Sequence, residues 1–260
     1  MILIIAEKPS LARNIVAGIG KMTRKDGYFE NNDYLVTWAF GHLFTLDDIE
    51  DYSNATTTRW TMDNLPCFPE KFHFHLKTDQ NKQPDKGIIK QFNLMKTLIN
   101  REDVDTIVNA GDSDREGEII VRLCVQNAIQ NPKKQLRLWL PDQTPETVSQ
   151  GLKEMKEETE YDNLANEGFA RTYVDWLYGV NLTRYATLKT GTLLRVGRVI
   201  VPIVKAIYDR DMAIQNFIPD IYYGISSNEQ TNNEFVELNS KDKFDKKQIK
   251  KAKELCQKYK

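Results

Sequence analysis

The sequence predicts an α/β fold: a parallel-type sheet between helices over residues 1–145, then a helical segment over 146–218, then the start of a β-containing domain over 219–260. Three observations predict it. Ile2–Ala6 is a continuous apolar run, as expected of a strand buried on both faces, and residues 104–110 read as a second such strand. Stretches with helical spacing alternate with the strands, the sign of a sheet with helices on its faces. After about residue 145 the pattern turns almost wholly helical, and from Ile221 it changes to β-type alternation.

The elements follow in order. After the first strand, Pro9-Ser10 opens a helix that runs to about Ile19. Residues 34–40 read as a strand. Residues 87–99 carry Ile88, Phe92, Met95 and Ile99 at helical spacing, and residues 115–129 form a helix with Ile119, Ile120, Leu123 and Ala128 facing inward. Residues 136–140 are a further strand, and Pro145-Glu146 starts another helix. The helical pattern beyond breaks near residues 189–197, with Pro202 placed for the first turn of the last helix. Ile221, Tyr223 and Ile225, then Phe235 and Leu238, set up the β-rich start.

Composition bounds the function classes. The 260 residues are 40% hydrophobic and 28% charged, which fits a soluble globular protein and excludes collagen-like or disordered chains. No apolar run approaches the roughly 18 residues that span a bilayer, and Ile2–Ala6 is too short for a signal-peptide core. A cytoplasmic protein with no membrane partner is expected. Cys67, Cys124 and Cys256 are widely spaced and odd in number, against a disulfide framework or a zinc ribbon. The net charge of −1 hides an asymmetry, because residues 241–260 hold nine lysines against three acids. That tail reads as a solvated helix with Ile249, Ala252 and Leu255/Cys256 as its apolar stripe and Asp245 as its cap; a phosphate-binding tail is the alternative. Its stop at Tyr259-Lys260, soon after a strand-like stretch, predicts a chain cut in mid-domain.

The most informative segment is Asn109-Ala-Gly-Asp-Ser-Asp-Arg-Glu-Gly-Glu118. A buried strand ends at Ala110, Gly111 permits a sharp turn, and Asp112, Asp114 and Glu116 alternate into a helix. Ligands of open α/β sheets bind at the carboxyl ends of strands. Acids at i, i+2 and i+4 can converge there on a Mg²⁺ that keeps water positions free for phosphate. Helix N-terminal acids favoured by the macrodipole are the other reading, which suits Glu116 and Glu118 better than Asp112. Glu7 and Lys8 follow the first buried strand and share the sheet edge with the Asp112 cluster if the two strands are neighbours. A metal-bridging carboxylate beside a phosphate-facing lysine suits phosphoryl transfer; an exposed loop lysine is the alternative for Lys8.

Glu7-Lys8-Pro-Ser-Leu-Ala-Arg13, Asp112-x-Asp114-x-Glu116 and Phe40-Gly41-His42-Leu43 resemble the TOPRIM domain, a Rossmann-like sheet, of type IA DNA topoisomerases, most of all their topoisomerase III branch. The resemblance continues through Arg59-Trp60, Asp175-Trp-Leu-Tyr-Gly-Val-Asn-Leu-Thr-Arg184, Arg195-Val-Gly-Arg-Val199 and Asp209-Arg-Asp211…Asn216-Phe217, so it covers about residues 1–220. TOPRIM alone also fits primases and some nucleases. A TOPRIM nuclease or primase, or a DNA-binding module without catalysis, therefore stays open as an alternative.

The resemblance implies ATP-independent breakage and rejoining of one DNA strand through a 5′-phosphotyrosine, with Mg²⁺ as cofactor and single-stranded DNA as partner. In that scheme Lys8 holds the scissile phosphate and Glu7 shuttles a proton to the leaving 3′ oxygen. Asp112 and Asp114 hold the metal, chiefly for rejoining, with support from Glu116. Two departures stand out: Ile200-Val201 replaces a Gln-Thr pair usual in the family, and the connection between Arg184 and Arg195 is short. The family's nucleophile lies in a Tyr-Pro-Arg context. Of the eleven tyrosines only Tyr208 has an arginine two residues on, and Asp209 follows it where proline is required. The nucleophile is therefore expected beyond residue 260, and this stretch is expected not to cleave DNA alone.

Residues 164–188 form the helix expected to hold DNA. Ala170, Val174, Leu177, Tyr178 and Asn181 share a face that reads as core, and Thr172, Trp176, Val180, Thr183 and Arg184 share another. Trp176 and Arg184 are eight residues apart, about 12 Å of helix axis, which suits one stacked base and a phosphate roughly two nucleotides on. Packing by Trp176 and capping by Arg184 are the alternative roles. The resemblance extends the DNA-binding set to Trp60, Lys189, Arg195, Val196, Gly197, Arg198, Val199 and Ile200. His73 and His75 lack a third ligand, and no Gly-rich phosphate loop is present, so no nucleotide cofactor is implied.

Overall fold

The computed structural model describes residues 1–52, 59–79, 83, 85–232 and 234–258. It divides into two compact units, Met1–Val201 and Pro202–Lys260. The first contains β1 (Ile2–Ala6), α1 (Pro9–Ile19), β2 (Thr23–Lys25), β3 (Tyr28–Glu30), β4 (Tyr34–Trp38), β5 (Phe44–Leu46), α2 (Ile49–Tyr52), β6 (Phe74–Leu76), α3 (Lys86–Ile99), β7 (Thr106–Ala110), α4 (Arg115–Ala128), β8 (Lys134–Arg137), α5 (Pro145–Gly151), β9 (Lys156–Glu157) and α6 (Asp162–Thr190). α7 (Ile200–Gln215) leads into the second unit, followed by β10 (Tyr222–Tyr223), β11 (Ser226–Thr231), β12 (Glu234–Asn239), β13 (Phe244–Asp245) and α8 (Ile249–Lys258).

The main sheet has the order β2-β3-β4-β1-β7-β8-β9. Its four central strands are parallel, with β1 between β4 and β7. The pairings at the edges, β2 with β3, β3 with β4 and β8 with β9, are antiparallel, so the sheet is mixed rather than parallel throughout. The apolar run of β1 serves both faces. Leu3 and Ile5 pack with Phe92, Met95 and Val121 under α3 and α4, while Ile4 and Ala6 pack with Leu11, Ile15 and Val148 under α1 and α5. That is the period-2 alternation of a strand with helices above and below it.

Two expectations need correction. The strand expected at 136–140 lies at Lys134–Arg137, where its ladder to β7 runs. Beyond residue 145, β9 adds a seventh strand to the sheet. The segment after 145 is otherwise helical, as α6 and α7. On α6 the face expected to be core is largely exposed, with Val174 at 56% and Tyr178 at 46%. The buried positions are Ala165, Gly168, Asn181 and Arg184. Gly168 explains the rotation: a Cβ there would lie 2.7 Å from the Arg115 carbonyl oxygen and 2.8 Å from Ile119 Cγ2, so the bare backbone seats α6 against α4.

Within the second unit, β11 and β12 form an antiparallel pair and β10 pairs with β13. Asp245 caps the following turn by accepting from the Lys247 and Gln248 amides at 2.8 and 2.9 Å, and Gln248 Oε1 accepts from the Asp245 amide at 3.3 Å. The expected helix end at Tyr259-Lys260 lies outside the described residues. Among the described residues, no helix is long and apolar enough to cross a membrane.

Candidate functional site

β1 and β7 are paired in parallel with Ala6 level with Ala110, so Glu7 and Gly111-Asp112 leave the sheet side by side at its carboxyl edge. The Asp112 amide donates to Glu7 Oε2 at 3.2 Å, and the Gly41 amide donates to the Glu7 carbonyl oxygen at 3.0 Å. Lys8, at the cap of α1, pairs through Nζ with Asp112 Oδ2. Asp114 caps α4 by accepting from the Gly117 amide at 2.8 Å, and its own amide donates to the Asp112 carbonyl oxygen at 2.8 Å. The turn closes so tightly that a Cβ on Gly111 would sit 2.0 Å from the Gly117 carbonyl oxygen. One on Gly117 would sit 2.4 Å from the Asp112 amide nitrogen. Only glycine fits either place.

This corner is electrically loaded. Burial pushes the Glu7 carboxyl above its usual range; Asp112 and Asp114 push the same way, while the Asp112 amide and Lys8 oppose them. The hydrogen bond to Asp112 holds the Lys8 ammonium above its ordinary value. Asp112 Oδ1 is buried and has no hydrogen-bond partner among the described residues. A buried carboxylate oxygen without a donor is costly unless a cation or proton serves it.

Glu116, expected in the same cluster, is drawn elsewhere. It pairs with Arg171 of α6, and His42 Nε2 lies 3.3 Å from its other oxygen. Burial and Lys77 lower the His42 pKa, with Glu116 opposing them. Among the described residues no group of three or more His, Cys, Asp and Glu side chains is arranged to hold a metal ion. Neither the four-carboxylate set nor any three of its members is gathered for a metal among the described residues. Mg²⁺ needs less, since it is usually held by one or two carboxylates with waters and phosphate completing its shell. The unpartnered Asp112 Oδ1 beside Glu7 fits that demand, with Asp114 next to them on the turn.

Sequence reasoning missed what holds the turn in place. Arg137 is completely buried; its Nη1 donates to the carbonyl oxygens of Asn109, Gly111 and Leu138 at 3.2, 2.9 and 2.8 Å, and its Nη2 to that of Asp112 at 2.8 Å. Its Nε lies 2.7 Å from Glu118 Oε2. Glu118 is fully buried and also accepts from Arg122 at 2.6 Å, so it is no solvent-facing macrodipole acid. Trp139 stacks on the Arg137 guanidinium at 5.0 Å. The only sequence signal was an arginine inside Leu136-Arg-Leu-Trp-Leu140.

The residues expected to bind DNA divide into two groups. Trp176 donates to the Asp47 carbonyl oxygen at 2.9 Å and meets Tyr52 and Phe72 edge-on at 5.7 and 5.5 Å, so it packs within the fold. Arg184 is only 4% exposed; its guanidinium takes both Glu50 oxygens at 2.9 and 2.6 Å and Asp48 Oδ1 at 2.6 Å, and lies over Trp60 at 4.9 Å. This guanidinium is committed to three carboxylate oxygens rather than to the helix end expected as its alternative role. A cleft of about 380 Å³ nevertheless gathers Trp60, Arg184, Arg195 and Val196. Thr183 pins its far wall, donating to the Val196 carbonyl oxygen at 3.2 Å and accepting from the Val196 amide at 2.9 Å. Arg198 is paired with Asp175 at 2.5 and 2.9 Å. Lys189 lies 5.8 Å from the Tyr185 ring, Gly197 has open space beside it, and Val199 and Ile200 are exposed.

Residues 2–140 match the family model of the Toprim domain and residues 159–260 that of DNA topoisomerase. DNA topoisomerase 3 of Shouchella clausii is 37% identical over 224 residues, 86% of this chain and 29% of that protein. DNA topoisomerase 3 of Bacillus anthracis is 39% identical over 232 residues, 89% and 30% of the two chains, and that of Bacillus subtilis 38% over 223 residues, 85% and 29%. The chain thus spans about 30% of the length of these relatives. With a Toprim sheet carrying its acids at the β1 and β7 edge and a topoisomerase-type segment after it, the chain belongs to the Toprim family, in its type IA, topoisomerase III-like branch.

Proposed function

We propose that the whole protein breaks and rejoins one DNA strand without ATP, through a 5′-phosphotyrosine, and passes another strand through the gap. The observation that carries this reading is the Glu7–Lys8–Asp112 corner. A carboxyl whose pKa burial raises sits beside an ammonium whose pKa the hydrogen bond to Asp112 raises. Proton transfer to a leaving alkoxide needs the first, and anchoring a phosphate needs the second. Lys8 holds the scissile phosphate by exchanging Asp112 for it, and Glu7 delivers and recovers the proton of the 3′ oxygen. Asp112 and Asp114, with Glu7, would hold Mg²⁺, which supplies charge stabilisation at the phosphate during rejoining. Glu116, tied to Arg171 and His42, orients α6 against the corner and is not a ligand.

The strand is single-stranded DNA, and the cleft around Trp60, Arg195 and Val196 is its track; Arg184 builds the floor and Trp176 the support. Lys189, Gly197, Arg198, Val199 and Ile200 line its continuation. The protein works in the cytoplasm on nucleoid DNA. The nucleophilic tyrosine belongs to sequence beyond residue 260. The 260-residue chain is therefore expected to form no covalent adduct with a single-stranded oligonucleotide, with or without Mg²⁺, on denaturing gels. An adduct mapped to any of its eleven tyrosines would overturn this assignment.

A further inference from the structure

A cavity of about 840 Å³ in the first unit lies outside the carboxylate corner but begins beside it. Pro9, the residue after Lys8, lines one end. Phe40 also lines it, one residue before Gly41, whose amide binds the Glu7 carbonyl oxygen. From there the cleft runs along the edge formed by α1, the β2–β3 hairpin, the end of β4 and α3. Its walls carry Arg13, Arg24, Lys25 and Lys90 against one acid, Asp26, which pairs with Lys90 at 2.8 Å. Trp38 and Phe40 supply aromatic surface, and Phe40 is 51% exposed.

Eleven arginines lie in residues 1–201, and seven of them are ion-paired: 101, 115, 122, 137, 171, 184 and 198. Among the described residues Arg13, Arg24, Arg59 and Arg195 make no ion pair, and two of the four, Arg13 and Arg24, face this cleft. Unpaired guanidinium groups beside open aromatic faces match the chemistry of a nucleic-acid strand, whose phosphates need cations and whose bases need stacking platforms. A purely structural cleft would need neither.

We propose that this cleft is a second track for single-stranded DNA, taking the part of the strand that leaves the Glu7–Lys8 corner on the side away from α6. Arg13 and Arg24 neutralise two backbone phosphates, and Phe40 stacks one base. The inference rests on the DNA reading above and extends it to a surface that reading does not use.

The test is fluorescence anisotropy of the full 260-residue chain with oligothymidylates of about 6 and about 16 nucleotides, across a salt series, with inorganic triphosphate as competitor. Wild type should prefer the longer strand. Arg13→Gln/Arg24→Gln should erase that preference and lower the log–log salt slope by about 1.4, two single-strand phosphate contacts. That is about 25-fold weaker binding at 0.1 M salt if the affinities converge near 1 M. Both side chains are exposed and unpaired, so the melting temperature should stay at the wild-type value, which excludes misfolding as the cause. Phe40→Ala should weaken binding about tenfold and leave the slope unchanged. An unchanged slope and length preference in the double variant, with wild type binding DNA, would overturn this inference alone. No DNA binding by wild type would overturn it together with the reading it rests on. Saturation of the cleft by triphosphate that DNA does not displace would overturn it in favour of a free polyphosphate ligand.

Discussion

Replacing Arg137 by methionine is expected to cost the first unit about 3–5 kcal/mol, the penalty for breaking a buried ion pair by removing one partner. The side chain is completely buried, so no water takes its place at Glu118 Oε2 or at the carbonyl oxygens of Asn109, Gly111, Asp112 and Leu138. Burial lowers the guanidinium's own pKa, and Glu118 opposes that shift. Arg137→Lys should recover only part of the loss, because one ammonium has no fork with which to reach four carbonyl oxygens. Urea unfolding followed by circular dichroism measures it. A methionine variant within about 1 kcal/mol of wild type would mean that the Asp112 turn stands without this support.

The second large effect is expected at Arg184. Arg184→Ala strips a charged partner from Glu50 and Asp48 and leaves Trp60 without its cation, at a cost of about 2–3 kcal/mol. Glu50 and Asp48 are partly exposed and rehydrate, which keeps the cost below that at Arg137. Its salt slope for single-stranded DNA should change by less than a full contact. Arg195→Ala, at an exposed arginine on the same cleft, should remove about 0.7 units and leave stability alone. The reverse pattern, a stable Arg184→Ala with a shallower slope, would restore Arg184 as a phosphate contact.

The parts of the fold written in apolar runs were legible. The β1 run and the strand ending at Ala110 could each be read as buried strands, because a strand buried on both faces is a continuous apolar run; that they are neighbours, which brings Glu7, Lys8 and Asp112 together, came from the structure. The edge strands were not legible. β2 is Thr23–Lys25 and fully exposed, and β9 has two charged residues, so neither carries an apolar pattern. The supporting network was hidden for a different reason. Arg137 and Glu118 are charged letters, and only tertiary structure shows that each is buried because the other is there. On α6 the packing face was misread because the helix is gripped on several sides: by α4 at Gly168, by the Cys67 backbone at Asn181, by Asp47 at Trp176 and by the Val196 segment at Thr183. A helix held by scattered polar contacts shows no single apolar stripe. Glu116 misled for a related reason: i, i+2, i+4 spacing brings Asp112 and Asp114 to one turn, but by Glu116 the chain is helical and the side chain has swung to Arg171.

The central claim is that Glu7, Asp112 and Asp114, without Glu116, form the cation-holding edge of a phosphate-handling corner. Calorimetric titration of Mg²⁺ into the wild-type chain, Asp112→Asn and Glu116→Gln tests it most directly. Weak binding by wild type, kept in Glu116→Gln and lost in Asp112→Asn, is the predicted result. Undiminished binding by Asp112→Asn, no binding by wild type, or loss in Glu116→Gln equal to that in Asp112→Asn would contradict it.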